Sequence, residues 1–206
     1  MRETKYNPLK HHRRSIRLKG YDYSAPGAYF ITVCVHNREC ALGEIVDGEM
    51  RLNEAGEIVV ACWQAIPAHF VHVGLDLFVV MPNHLHGIIV LEAYAMGGKG
   101  EASAVEQAGI SGVLAADASP LRMDGTPPGS IPAIVQNFKS VSSRRLNALR
   151  ATPGAHFWQR NYYEHIVRNE AGLARIRTYI QNNPARWARD QLHPAAPSNP
   201  FNRGQL

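Results

Sequence analysis

A chain of 206 residues with 45% apolar side chains can bury one sizeable core, which rules out a mini-protein that needs covalent staples. Its formal charge of +5 is made of +6 over residues 1–20, −7 over 21–96, −2 over 97–130 and +8 over 131–206. Basic segments on both sides of an acidic middle point to a polyanionic partner gripped by those segments, with plainly solvated arginines as the alternative.

Residues 1–20 read as a basic N-terminal arm with no apolar stretch behind it, and the first apolar run, Tyr29–Val35, is too short to span a bilayer. Only Cys34, Cys40 and Cys62 are present, without a CxxC pair. Neither a disulfide framework nor a cysteine zinc site is indicated, and a cytoplasmic protein without membrane attachment is expected. Ala28–Val35 follows the turn Ala25-Pro26-Gly27 and predicts a strand. Leu42–Val46 and Met50–Leu52 flank Asp47-Gly48-Glu49 as a hairpin. Asn53 predicts the cap of an amphipathic helix carrying Ala55, Val59, Cys62 and Ile66 and ending at Pro67. Leu75–Met81 and Leu85–Leu91, on either side of Pro82-Asn83, predict two adjacent strands.

The stretch 97–130 holds seven Gly, three Pro, six Ala, four Ser and no aromatic residue, so it predicts a long flexible insertion within a single domain spanning 21–190. Beyond it, Ser130 predicts the cap of a helix running to Leu149, with Lys139, Arg144, Arg145 and Arg150 on its polar face. Tyr162–Arg168 predicts a further strand, and Asn169 a last helix that turns Leu173, Ile176 and Ile180 inward and closes before Pro184. Residues 191–206 are left as a tail. This order predicts an α+β fold, a ferredoxin-like antiparallel sheet with packed helices.

The chemistry concentrates in two places. In Met81-Pro82-Asn83-His84-Leu85-His86-Gly87 a strand puts His84 and His86 on one face and Leu85 on the other. Ten histidines in this chain produce about half an HxH pair by chance, so the pair reads either as a metal chelate or as hydrogen-bonded imidazoles. In Thr178-Tyr179-Ile180-Gln181-Asn182-Asn183-Pro184, Tyr179 and Asn183 stack on one side of a helix at the rim of the core. They read as a phenol beside an amide oxygen, or as an ordinary core-edge tyrosine and a helix terminator before proline.

VVMPN before HLHGIIVL, IVQNFKSVSSRRLN, WQRNYYEHIVRNE and TYIQNNP occur in the order seen in the single-tyrosine HUH transposases. Over about residues 14–190 apart from the insertion, the chain resembles their REP-associated tyrosine transposase branch. The resemblance implies an HUH-type nuclease domain in which His84 and His86 bind a divalent cation, Mg²⁺ or Mn²⁺, with Asn183 as a further ligand. It implies Tyr179 as the nucleophile that attacks single-stranded DNA at hairpins such as repetitive extragenic palindromes, forming a 5′-phosphotyrosine and freeing a 3′-OH. Two imidazoles and an amide oxygen suit a Lewis-acid cation, whereas a structural zinc site wants four closed ligands.

Tyr162 and Tyr163, next to Glu164 and His165, are rival nucleophiles or base-stacking groups, and Trp158 stacks a base or packs in the core. Arg13, Arg14, Arg17 and Lys19 in the arm and Lys139, Arg144 and Arg145 on the helix are the expected phosphate contacts. A monomer and a homodimer both fit. From other classes, a non-catalytic nucleic-acid-binding module is the alternative, and a phosphodiesterase using water a third reading.

Overall fold

The β-branched and aromatic run after Pro26 becomes the inner strand that organises the sheet. In the computed structural model, which describes residues 18, 20–93 and 126–196, β1 (Gly27–Cys34) is followed by the hairpin strands β2 (Gly43–Val46) and β3 (Glu49–Leu52). Then come α1 (Glu54–Gln64), the short α2 (Ile66–His69), β4 (Val73–Met81), β5 (His84–Leu91), α3 (Ile131–Leu149), β6 (Tyr163–Val167) and α4 (Glu170–Asn182). The main sheet has the order β4-β5-β1-β6, with every neighbouring pair antiparallel. The crossovers β1-α1-β4 and β5-α3-β6 interleave, which is the split βαβ arrangement of a ferredoxin-like fold.

Strand alternation divides the core. Tyr29, Ile31 and Val33 of β1 and Leu85 and Ile89 of β5 pack against Trp63 of α1 and Phe138 of α3. On the opposite face Ala28, Phe30, Ile88 and Val90 pack with Val167 and with Leu173 and Ile180 of α4. Every residue of β5 is buried, as a strand covered on both faces requires. Among the described residues no helix is long and apolar enough to cross a membrane.

Asn53 and Asn169 cap α1 and α4 as expected, accepting from Gly56 N at 3.0 Å and Gly172 N at 2.8 Å. Two local expectations change. Helix α1 stops at Gln64, and Pro67 opens the next short helix instead of ending the first, because a first-turn proline lacks only an N–H that would go unused. Ser130 stands at the N-cap of α3 but turns its hydroxyl back to the Pro127 carbonyl at 2.6 Å, and its side chain caps no helical N–H.

Residues 126–130, the last of the expected insertion, are fastened to the domain: His72 Nε2–H donates to Gly129 O at 2.9 Å and Ile131 N–H to Tyr23 O at 3.0 Å. Residues 97–125 of that insertion lie outside the described residues, as do Arg13, Arg14, Arg17 and Lys19.

Gly87 sits between the site strand and the helix layer. A Cβ there would collide with the Trp63 indole and come within 3.1 Å of Phe78 Cβ. Gly87→Ala is expected to lower stability by about 1–3 kcal/mol through overpacking, read as a lower melting temperature.

Candidate metal and nucleophile site

The site begins at the first residues of β5. His84 lies opposite Cys34 and His86 opposite Thr32 of β1, so both imidazoles project on the α4 face while Leu85 enters the other core. Their Nε2 atoms meet at 3.0 Å. Each outer nitrogen is anchored: His84 Nδ1 pairs with Asn83 Oδ1 at 2.8 Å, and His86 Nδ1 with Thr32 Oγ1 at 2.8 Å. Burial keeps both rings neutral. It holds His84 well below the usual imidazole range, aided by His86 and the Arg38 charge, and lowers His86 to about 3.

Helix α4 brings Tyr179 to this pair, its hydroxyl 3.1 Å from His86 Nε2. Phe30 stacks on His86 at 5.3 Å between centroids and meets the Tyr179 ring edge-on at 6.0 Å, which fixes both rings against the sheet. Tyr179 is 42% exposed, whereas the imidazoles are buried. Burial, then the Asp190 charge, pushes its pKa up to about 12, and a hydrogen bond from the Asn183 side chain works against that rise. Asn183 itself is buried, and its Oδ1 has no hydrogen-bond partner.

Two residues before Tyr179, Arg177 grips Asp76 of edge strand β4 through Nε at 2.9 Å and a terminal nitrogen at 2.7 Å. Asp76→Ala is expected to cost about 1–2 kcal/mol of stability. Melting curves check the effect.

The chain then turns through a 3-10 helix, Pro184–Arg189, and folds back over the histidines. Trp187 approaches the His84 ring at 6.0 Å, and His193 packs on Trp187 at 4.8 Å. Residues 191–196, read from sequence as the start of a tail, are thus packed beside the site. Asp190 arrives with this segment, and one of its carboxylate oxygens lies within 4.8 Å of a ring nitrogen of each histidine. Sequence reading did not single it out. The available signal was its isolation, for Asp190 is the only acid after Glu170 in an arginine-rich stretch.

The donors fit a divalent cation. Bonds of about 2.1 Å meeting at a right angle place two nitrogens about 3 Å apart, the separation observed. Asp190 brings a carboxylate and Asn183 a buried amide oxygen without a partner. Cys34, opposite His84, remains a thiol because burial pushes it up to about 11, so the donor set is two imidazole nitrogens with oxygens, without thiolate.

The remaining sequence candidates separate. Tyr162 packs against the core on the α1/α3 side, while Tyr163 lies on the site face of edge strand β6 beside Phe30 and is exposed. Trp158 is a core residue whose indole N–H donates to Ser142 Oγ at 2.8 Å. Helix α3 packs on the opposite face of the sheet from the histidines, so Arg144 and Arg145, both exposed, stand away from the site. Lys139 spends its ammonium on the Gln159 and Arg160 carbonyls, at 2.5 and 2.9 Å.

Residues 120–183 match the family described as Transposase IS200 like, a stretch that includes Tyr179 and Asn183 but not the histidine pair. An uncharacterized protein of Haemophilus influenzae is 45% identical over 191 residues, covering 92% of this chain and 98% of that one. Among solved structures, the REP-associated tyrosine transposase bound to a REP hairpin shares the fold over 84% of this chain and 74% of that one, with a TM-score of 0.53 and 17% identity. The chain carries an IS200-like transposase domain match over residues 120–183, a family of nucleic-acid-processing enzymes, and is related over nearly its whole length to the Haemophilus protein.

Proposed function

We propose that this chain is a divalent-metal-dependent single-stranded DNA endonuclease and strand transferase, acting in the cytoplasm on hairpins of the repetitive-palindrome kind. The observation that carries the proposal is the Tyr179 hydroxyl at 3.1 Å from an imidazole pair whose Nε2 atoms converge, in a chain of a transposase family. His84, His86, Asp190 and Asn183 are the residues that would hold the cation. When bound, it supplies Lewis-acid polarisation of the scissile phosphate and positive charge that favours the phenolate.

Tyr179 enters the reaction as the phenolate, its proton passing to solvent. The Asn183 N–H donates to the oxygen that carries the charge. Tyr179 Oη attacks phosphorus, the P–O3′ bond breaks, and its electron pair leaves on the 3′ oxygen, which takes a proton. The product is a 5′-phosphotyrosine and a free 3′-OH. Attack by another 3′-OH on that ester rejoins DNA and returns the tyrosine, so no external energy source is needed. Because Tyr179 and His86 of the same chain meet, one copy suffices for the site, whether the protein is a monomer or a homodimer.

A single-stranded hairpin with its flanks, labelled at the 3′ end and incubated with Mn²⁺, tests the reading. Nicking with a labelled covalent protein band is expected. A cut without an adduct means hydrolysis by water, and a mobility shift without a cut means a binding module.

Phosphate binding by the basic arm and by Arg144 and Arg145 should appear as steep salt dependence. Replacing each arginine with Ala is expected to flatten the slope of log affinity against log salt by about 1. Lys139→Ala should instead lower the melting temperature, because its ammonium is engaged with carbonyls.

A further inference from the structure

The geometry points to Asn83 as the positioning residue of the metal site: its single amide fixes which nitrogen of His84 faces the cation and ties the Asp190 segment to that histidine. The inference rests on the metal-site reading above. Asn83 is fully buried. Its Nδ2 donates to Arg38 O at 3.1 Å and to Leu192 O at 2.8 Å. Carbonyl oxygens only accept, so these two bonds settle the orientation of the amide, and Asn83 Oδ1 must be the atom that faces His84 Nδ1 at 2.8 Å. An amide oxygen also only accepts. The His84 proton therefore sits on Nδ1, leaving Nε2 bare toward the site.

His86 follows from this. With His84 Nε2 bare, the 3.0 Å contact between the two Nε2 atoms makes His86 Nε2–H the donor in the metal-free chain. The Thr32 hydroxyl, which can donate or accept, serves its Nδ1 in either tautomer, so His86 can move its proton to Nδ1 when a cation takes Nε2. Asn83 thus fixes His84 with its Nε2 ready for the cation, whereas His86 has to switch.

The same amide crosses the chain. Arg38 lies just beyond β1 at a left-handed φ of 56°. Leu192 belongs to the segment that carries Asp190, and its N–H donates to Asp190 Oδ1 at 2.6 Å. A continuous path therefore runs from His84 Nδ1 through Asn83 and Leu192 to the Asp190 carboxylate, joining groups more than a hundred residues apart in sequence.

The test uses the metal-free chain and Mn²⁺ alone, measured by calorimetry beside a melting curve. Asn83→Ala is expected to weaken Mn²⁺ binding by about 10–100-fold, the usual effect of removing a partner behind a metal-binding histidine. In a double-mutant cycle, Asp190→Asn should weaken binding less in the Asn83→Ala background than in the wild type. Wild-type affinity in Asn83→Ala, or strict additivity in the cycle, overturns the proposal. A wild-type chain that fails to bind Mn²⁺ refutes the metal-site reading instead. One readout needs no variant: nitrogen-15 NMR of the metal-free chain should show His84 protonated at Nδ1, and an Nε2-protonated His84 would sink the inference even if Asn83→Ala did not fold.

Discussion

Tyr179→Phe is expected to abolish the covalent protein–DNA band and to reduce cleavage of a flanked single-stranded hairpin by roughly three orders of magnitude or more. The substitution removes one oxygen from a ring whose packing on Phe30 and His86 does not depend on it. The fold should survive, with about 1 kcal/mol or less lost from the hydrogen bond to His86. Denaturing gels of the 3′-labelled substrate read the adduct, and a mobility shift shows that the variant still binds. Tyr163→Phe should retain the adduct, since Tyr163 sits on the edge strand beside Phe30 and makes no described contact with either imidazole. An adduct that persists in Tyr179→Phe and vanishes in Tyr163→Phe would reverse the assignment.

Removal of either imidazole is the second large effect. His84→Ala and His86→Ala should each abolish cleavage and weaken Mn²⁺ binding by more than the loss of Asn83 does, because a direct nitrogen donor is removed and the other imidazole is left with only the Asp190 and Asn183 oxygens. Hairpin binding should fall little, since the histidines are buried and the expected phosphate contacts lie elsewhere. His86→Ala also leaves the Thr32 hydroxyl without its imidazole, at about 1–3 kcal/mol, so melting curves accompany the assay. An equal loss of cleavage and hairpin binding would assign the pair a structural role.

What the sequence made legible is what repeats locally. Period-two alternation set His84 and His86 on one face of β5, and the four-residue helical spacing set Asn183 beside Tyr179. The apolar pattern of β1, β5 and α4 also delivered the antiparallel sheet and its order of elements. What it could not deliver depends on groups brought together from afar. Asp190 follows a proline-led 3-10 turn with no periodicity to read, and reaches the histidines only because that turn doubles back. The helical wheel correctly placed Lys139 on the polar face of α3, yet its long side chain reaches carbonyls twenty residues downstream. Whether α3 or α4 covers the histidine face follows from the crossovers of the chain, which no single helix encodes.

The bond from Asn83 to Leu192 spans 109 residues, and this separation orders events in time. A chain emerging from the ribosome can pair β1 with β5 long before residue 192 exists, and so carries its two histidines without the Asp190 carboxylate. Only when the segment beyond α4 docks do His84, Asp190 and Tyr179 come together. The same segment has little core beneath it, so it should be among the first to detach when the protein is warmed. Capacity to hold a cation would then be lost at a lower temperature than the sheet, and competence for chemistry would lag behind folding and fail ahead of it.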